Sequence, residues 1–181
     1  MTTAKDRVPY DSMREYMQIL EERGLLKHIT AEVDLDFELG AISYRDLVRG
    51  GPGLLFENIK DYPGMSMATN IMYSLDQLAI AFNGERDWDK LHDRVKAGMA
   101  NRLPAVHVDA APVKDVVIGS EDVDLTMLPT PLWHELDGGR YIATTAGVVT
   151  IDPKTGAKTI DPAKLPDIEQ TLVVGVHGPK E

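Results

Sequence analysis

The sequence predicts an α+β protein with an amino-terminal α/β domain over residues 1–102, a connector at 103–112, and the first strands of a β-barrel over 113–181. Three observations predict this fold. Helix-start signals alternate with short apolar strands up to about residue 101. A connector bounded by Pro104 and Pro112 then follows. Beyond them, β-branched runs alternate with Pro- and Gly-rich turns, and helical periodicity is lost.

The first domain is expected to begin with a helix. Ser12 and Glu15 have the spacing of a capping box, in which the Ser hydroxyl accepts from the Glu15 amide and the Glu carboxylate from the Ser12 amide. Gly24 is placed to end the helix in a left-handed conformation. Residues 25–33 then alternate as a strand. The apolar positions recur at helical spacing: Met13, Tyr16, Met17 and Leu20.

The rest of the first domain continues the alternation of helices and strands. A second helix is predicted over 37–48, and the sequence GGPG at 50–53 ends it before an apolar strand at 53–59. These glycines precede a strand, so a turn is a better interpretation than a phosphate-binding loop. Further elements are a turn at 62–64, a strand at 65–70, a helix at 75–82 opened by a second capping box (Ser74 and Gln77), and a helix at 88–99.

Composition and charge exclude several functional classes. The net charge of -10 and the lack of a cluster of Lys and Arg argue against binding to nucleic acid. Zero cysteines exclude disulfides and thiol catalysis. No apolar run approaches the ~18 residues of a membrane span. The first ten residues carry no targeting pattern, so a cytoplasmic location without membrane partners is expected.

The most informative segment is 128–145, which reads LPTPLWHELDGGRYIATT. Pro129 and Pro131 restrict the backbone to extended geometry, and the sequence DGG at 137–139 suits a tight turn. Residues 141–150 favour a strand that carries Thr144 and Thr145. This strand is a candidate wall of a binding site, although Thr also suits strands for purely structural reasons.

This segment resembles the signature L-P-x-P-x-W-H-x-x-D-G-G-x-Y-I-x-T of the UbiD-type decarboxylases, which use prenylated FMN to remove or add carboxylate on aromatic and unsaturated acids. Family landmarks recur upstream in their usual order at 32–34, 53–60, 111–115 and 122–125. The resemblance implies that residues 113–181 begin the split barrel that holds the flavin, as in flavin reductases. It also implies that Thr144, and less directly Thr145, contact the cofactor.

The sequence departs from the family pattern after Gly156. The family's D-P-x-T-G turn is present at 152–156, but the following N-x-x-x-x-R segment is not: Thr159 stands about where the metal-binding Asn would fall, and no Arg follows. The family's divalent metal and potassium accompany the flavin in complete enzymes. The resemblance therefore provides no catalytic residue and no metal ligand on this chain, and flavin binding by this chain alone is in doubt.

Other candidate residues have structural alternatives. His134, Glu135 and Asp137 have poor spacing for a metal site, so a turn-stabilising role is favoured. Arg140 suits a phosphate or an exposed turn, and Trp133 is expected to pack the segment against the barrel. Glu32, Asp34, Asp36, Glu38 and Glu57 show no spacing typical of a catalytic carboxylate pair.

Two functional hypotheses follow from the resemblance. The first is the amino-terminal portion, or a short subunit, of a UbiD-like carboxy-lyase acting on an aromatic or α,β-unsaturated acid. The second is a non-catalytic regulatory or assembly subunit of such an enzyme. The expected partner is a second copy of the chain or a complementary UbiD-like chain.

Overall fold

The computed structural model describes residues 8–101, 108–119, 121–141, 150–151 and 158–159. The chain divides into two compact units. Unit 1 comprises Met1–His107 and Leu125–Arg140, and unit 2 comprises Val108–Asp124 and Tyr141–Glu181. The protein is an α+β protein, with its described α-helices all in unit 1.

Unit 1 contains a three-stranded mixed sheet in the order β1-β2-β3. Strand β2 pairs in parallel with β1 and antiparallel with β3. Helix α2 connects β1 to β2, as parallel pairing requires. The elements are α1 (Met13–Glu22), β1 (Leu26–Ile29), α2 (Glu38–Val48), β2 (Gly53–Phe56), β3 (Met67–Thr69), α3 (Leu75–Ala81) and α4 (Trp88–Ala100).

Strand β2 contributes side chains to a core on each face of the sheet, because successive side chains of a strand point to opposite faces. Leu54 and Phe56 belong to a first core cluster with Leu39 of α2. Leu55 packs against a second cluster, which includes Leu20 of α1 and Ile80 of α3. Since both faces carry apolar side chains, β2 appears in the sequence as a continuous apolar run rather than an alternating one.

The predicted helix boundaries are confirmed by their hydrogen bonds. Gly24 (φ +69°) ends α1, with its amide bonded to Glu21 and the Leu25 amide bonded to Leu20. The capping box at Ser74 is complete. The capping box predicted at Ser12 is wrong in one bond. The Ser12 hydroxyl accepts from the Glu15 amide as predicted, but the Glu15 carboxylate accepts from the Asp11 amide, at 2.7 Å, instead of from the Ser12 amide.

The polar groups of the buried residues Gln77 and Tyr16 have hydrogen-bond partners. Gln77 is fully buried, and its Oε1 accepts from the amides of Tyr73 and Ser74, both at 3.1 Å. Its Nε2 donates to the carbonyl of Asn70 at 2.9 Å. Burial raises the pKa of Tyr16 to about 12, and its hydroxyl donates to the Ile71 carbonyl at 2.7 Å. These bonds link α1, α3 and the loop after β3.

In unit 2, the described residues include a 3-10 turn at Pro112–Lys114 and two short antiparallel strands, β4 (Thr150–Ile151) and β5 (Lys158–Thr159). Thr150 pairs with Thr159, and Ile151 with Lys158. The pairing agrees with a β-rich second region. The predicted split barrel, the predicted turn at 152–156 and the predicted division at 103–112 stay predictions.

Candidate functional site

The segment Leu125–Arg140, here called the arm, contains most of the sequence signature and packs within unit 1. A 3-10 turn at Leu125–Met127 begins it, and the Tyr62 hydroxyl donates to the Thr126 carbonyl at 3.0 Å. Farther along, Leu132 forms a parallel bridge with Asp36. The Leu132 amide donates to Leu35 at 3.1 Å, and the Phe37 amide donates to Leu132 at 3.0 Å.

Trp133 packs against the first core cluster of unit 1. The expected packing role of Trp133 is confirmed for the α/β core, and its expected contact with the barrel stays a prediction. A Cβ atom at Gly40 of α2 would lie only 2.7 Å from the Trp133 carbonyl oxygen. Glycine at this position therefore allows the helix backbone to approach the arm.

The turn after Trp133 is stabilised by its own side chains. The Asp137 carboxylate accepts from the His134 amide at 3.0 Å, and the Asp137 amide donates to the His134 carbonyl at 3.1 Å. His134 Nδ1 lies 3.5 Å from the same carboxylate. The turn-stabilising interpretation is confirmed. Within the ranges that the structure describes, no group of three His, Cys, Asp or Glu side chains could hold a metal ion.

Arg140, at the end of the arm, contacts two acceptors within unit 1. Its Nη1 donates to the Thr130 carbonyl at 2.8 Å, and its Nη2 donates to the Asp36 carboxylate. Arg140 therefore has a structural role at the end of the arm. The phosphate role that the sequence also allowed stays a prediction.

The carboxylates of the acidic loop before α2 are bonded to Lys60 and to backbone amides. Asp34 forms an ion pair with Lys60 at 2.7 Å and accepts from the Asp36 amide at 2.9 Å. The Lys60 hydrogen bond is the main reason that the pKa of Asp34 is lowered, and the Asp36 amide adds to it. Glu38 accepts from the Asp34 amide at 2.8 Å. The lowered pKa keeps Asp34 charged at neutral pH, and these contacts hold the loop.

An open apolar groove of about 490 Å³ lies between α2 and the arm. Phe37, Tyr44 and Trp133 supply aromatic side chains to it, and Leu136, at its rim, is 98% exposed. Leu136 is on the solvent side of the His134–Asp137 turn, where nothing in the described part of the chain covers it. An apolar surface of this kind is typical of an interaction site.

The two residues predicted to contact the cofactor, Thr144 and Thr145, lie outside the described residues. In the described part of the signature, Arg140 is bonded to Asp36 and Thr130.

Comparison with known proteins identifies the family. The model of the 3-octaprenyl-4-hydroxybenzoate carboxy-lyase N-terminal domain matches residues 17–97. The model of the Rift-related domain of the same enzymes matches residues 105–160. The chain belongs to the UbiD carboxy-lyase family. The two UbiD matches follow one another in family order, and the second includes the whole arm.

Individual UbiD relatives support this assignment. An uncharacterized protein of Synechocystis sp. is 32% identical over 91% of this chain and 37% of its own length. The pyrrole-2-carboxylic acid decarboxylase of Pseudomonas aeruginosa is 34% identical over 72% of this chain and 29% of its own. An evolved dimeric form of the UbiD-class enzyme HmfF from Pelotomaculum thermopropionicum, in complex with prenylated FMN, has a TM-score of 0.69 at 32% identity, covering 81% of this chain and 34% of that one. The chain thus spans about a third of the length of these relatives.

Two residues that matter for the UbiD arm were missed by the sequence interpretation. The sequence placed Asp36 only among carboxylates without catalytic spacing, yet it is the bridge partner of Leu132 and the acceptor for Arg140. The sequence analysis assigned Gly40 of α2 no role. A glycine inside a predicted amphipathic helix, where Ala would favour the helix, was the available signal of a close backbone approach.

No helix in the described ranges is long and apolar enough to cross a membrane.

Proposed function

We propose that this chain provides the amino-terminal part of a UbiD-like carboxy-lyase that acts on an aromatic or α,β-unsaturated carboxylic acid with prenylated FMN. The observation that carries the proposal is the consecutive match of two UbiD models over residues 17–97 and 105–160. Related proteins agree with it, since one is a pyrrole-2-carboxylic acid decarboxylase and another is in complex with prenylated FMN.

Within this function, the chain's own part is to bind and orient. Prenylated flavin, when bound, supplies the chemistry that removes or adds carboxylate. Thr144 and Thr145 are proposed to donate hydroxyl hydrogen bonds to it. The arm fixes the backbone up to Arg140, directly before the strand predicted to carry these hydroxyls. A rigid approach of this kind is what a precisely oriented cofactor needs.

The test is an activity measurement on the homogeneous, mass-verified chain supplied with prenylated FMN. A suitable substrate is pyrrole-2-carboxylic acid, named for the Pseudomonas relative, with exchange of isotope-labelled bicarbonate as a sensitive readout. We expect no turnover by the chain alone, because residues 157–181 contain neither Asn nor Arg to complete the metal and flavin sites. Turnover by the chain alone would contradict this expectation.

The second candidate function is a non-catalytic assembly or regulatory subunit. The groove with Phe37, Tyr44 and Leu136 favours it, because an exposed apolar surface is suited to another protein chain. Adding a complete UbiD homologue distinguishes the two functions. Activity that requires both chains and flavin bound to this one supports the first. Flavin bound only to the homologue, with changed turnover, supports the second.

A further inference from the structure

Helix α4 buries little of its surface in the described part of the chain. Of its thirteen residues, only Leu91 is buried. Trp88, at its start, is 60% exposed, and Met99, near its end, is 65% exposed. Helices of this length are marginal on their own in water and depend on the packing of an apolar face. The exposed apolar residues of α4 are therefore candidates for contact with a partner.

These exposed residues form one stripe along α4. Trp88, His92, Val95 and Met99 recur at the i, i+4, i+7 and i+11 positions, which lie on one face of a helix. We call this face the α4 stripe. It borders an open groove of about 410 Å³ between α3 and α4, to which Phe82 contributes a further exposed aromatic side chain. Continuous exposed apolar surface of this kind is typical of a contact between protein chains.

Three exposed charges follow one edge of the α4 stripe: Asp89, Asp93 and Lys96. At 3.6 residues per turn, all three lie on the same side of the stripe, with the carboxylates toward the amino-terminal end of α4 and the lysine toward the other end. When two copies of α4 lie antiparallel, with the stripes centred on each other, a two-fold axis brings the same edge of both helices together. Lys96 of one copy then lies within one helical turn of Asp89 and Asp93 of the other.

This charge pattern favours the antiparallel arrangement. In a parallel pair, the same edges lie on opposite sides of the stripe, so Lys96 does not meet the carboxylates of the other copy. Antiparallel packing also places the amino-terminal end of each helix dipole beside the carboxyl-terminal end of the other. Trp88 of each copy then faces Met99 of the other, and thioethers make favourable contacts with aromatic rings. The α4 stripe is thus complementary to itself in both shape and charge.

We propose that the α4 stripe is the docking surface for a second copy of this chain, with the two α4 helices antiparallel about a two-fold axis close to Asp93. From Trp88 to Met99 the stripe is about 16 Å long, at 1.5 Å per residue. One pair of helices over this length buries less than the roughly 800 Å² per partner of a standard interface. The dimer is therefore expected to be weak and to depend on protein concentration.

The first test measures self-association of the whole chain by sedimentation velocity over a series of concentrations. Wild type should pass from monomer to dimer, and Trp88→Ala should weaken the association at least about tenfold, because aromatic anchors carry much of the energy of such contacts. The matched control is Tyr44→Ala, which removes an aromatic side chain that is 63% exposed from α2 and should match wild type. Circular dichroism checks the fold of each variant, and Met99→Glu replaces Trp88→Ala if that variant does not fold.

Three results of this test would overturn the proposal. The first is a wild type that stays monomeric at all concentrations. The second is an association that survives Trp88→Ala unchanged, whatever the effect of Tyr44→Ala. The third is equal weakening by both substitutions, which would indicate a non-specific association of exposed apolar residues.

The second test reverses the charges beside the α4 stripe. Lys96→Glu makes this edge wholly acidic, and the double variant Asp89→Lys, Asp93→Lys makes it wholly basic. Each variant alone should self-associate roughly three- to tenfold more weakly than wild type. Mixed together, they should form a heterodimer at least as tightly as wild type forms its dimer, detected by native mass spectrometry. If mixing restores nothing, or if neither variant alone is weakened, the antiparallel pairing is wrong and the proposal fails.

Discussion

Replacing Gly40 with Ala tests whether the arm needs close contact with α2. In most helices this change is favourable, because Ala has the higher helix propensity by up to about 1 kcal/mol. Here the added Cβ would lie 2.7 Å from the Trp133 carbonyl oxygen and 3.4 Å from its carbonyl carbon. The oxygen belongs to the backbone of a segment fixed on both sides by hydrogen bonds, so it has little freedom to move away.

The two contributions have opposite signs, and the contact should be larger. Adding a methyl group to a closely packed site typically costs about 1–3 kcal/mol. With the full gain in helix propensity subtracted, the net loss should be up to about 2 kcal/mol. For a chain of this size, that corresponds to a decrease in Tm of up to about 8 °C. If the arm detaches to avoid the contact, part of the loss appears as opening of the bridge at Leu132.

The assay is thermal unfolding together with amide exchange, and α4 supplies a matched control. Gly98 is also inside a helix, but a Cβ there meets nothing within 4 Å. Gly98→Ala should therefore raise stability by up to about 1 kcal/mol. Opposite signs for the two substitutions support the close contact at Trp133. If Gly40→Ala stabilises the protein as Gly98→Ala does, the argument that glycine is required there is refuted.

Two further predictions concern a titrating group and the candidate cofactor contact. His28 Nδ1 is bonded to Glu57 at 2.9 Å, and Nε2 lies 3.1 Å from Glu21; the Glu57 hydrogen bond is the main cause of its raised pKa. The raised pKa means that the bonds of His28 stabilise the fold fully below its unfolded pKa of about 6.5, and that this stabilisation is lost as pH rises through the folded pKa. In denaturant titrations, the difference in unfolding free energy between wild type and His28→Gln, at most about 1 kcal/mol, should therefore shrink over that range. A constant difference would count against this prediction. Thr144→Val should weaken flavin affinity by on the order of 1 kcal/mol without lowering Tm, and equal affinity would assign this Thr to the strand alone.

Local signals predicted most of unit 1. The start of α3 at Ser74, the end of α1 at Gly24 and the apolar strand β2 all depend on residues close together in sequence. Such signals are readable because caps and turns demand particular residue types over short spans. The strands were predicted longer than observed, since apolar alternation continues beyond the paired residues. Strand ends depend on the partner strand, which local sequence does not reveal.

The packing of the arm could not be predicted in the same way. Asp36 and Leu132 are 96 positions apart, and their bridge depends on the whole α/β unit already having its shape. The resemblance identified the importance of the signature but did not indicate which side of it faces the core. Trp133 illustrates this: it was expected to pack, but its neighbours in the α/β core could not be named from the sequence.

The structure divides the signature by what its residues contact. Leu132, Trp133 and Arg140 interact with the α/β core, whereas Asp137 and His134 stabilise their own turn. A substitution in this part of the signature therefore acts first on the packing of the arm against the α/β core. Loss of activity after mutation of the arm is evidence of a direct role in chemistry only when amide exchange at Leu132 and Phe37 is unchanged.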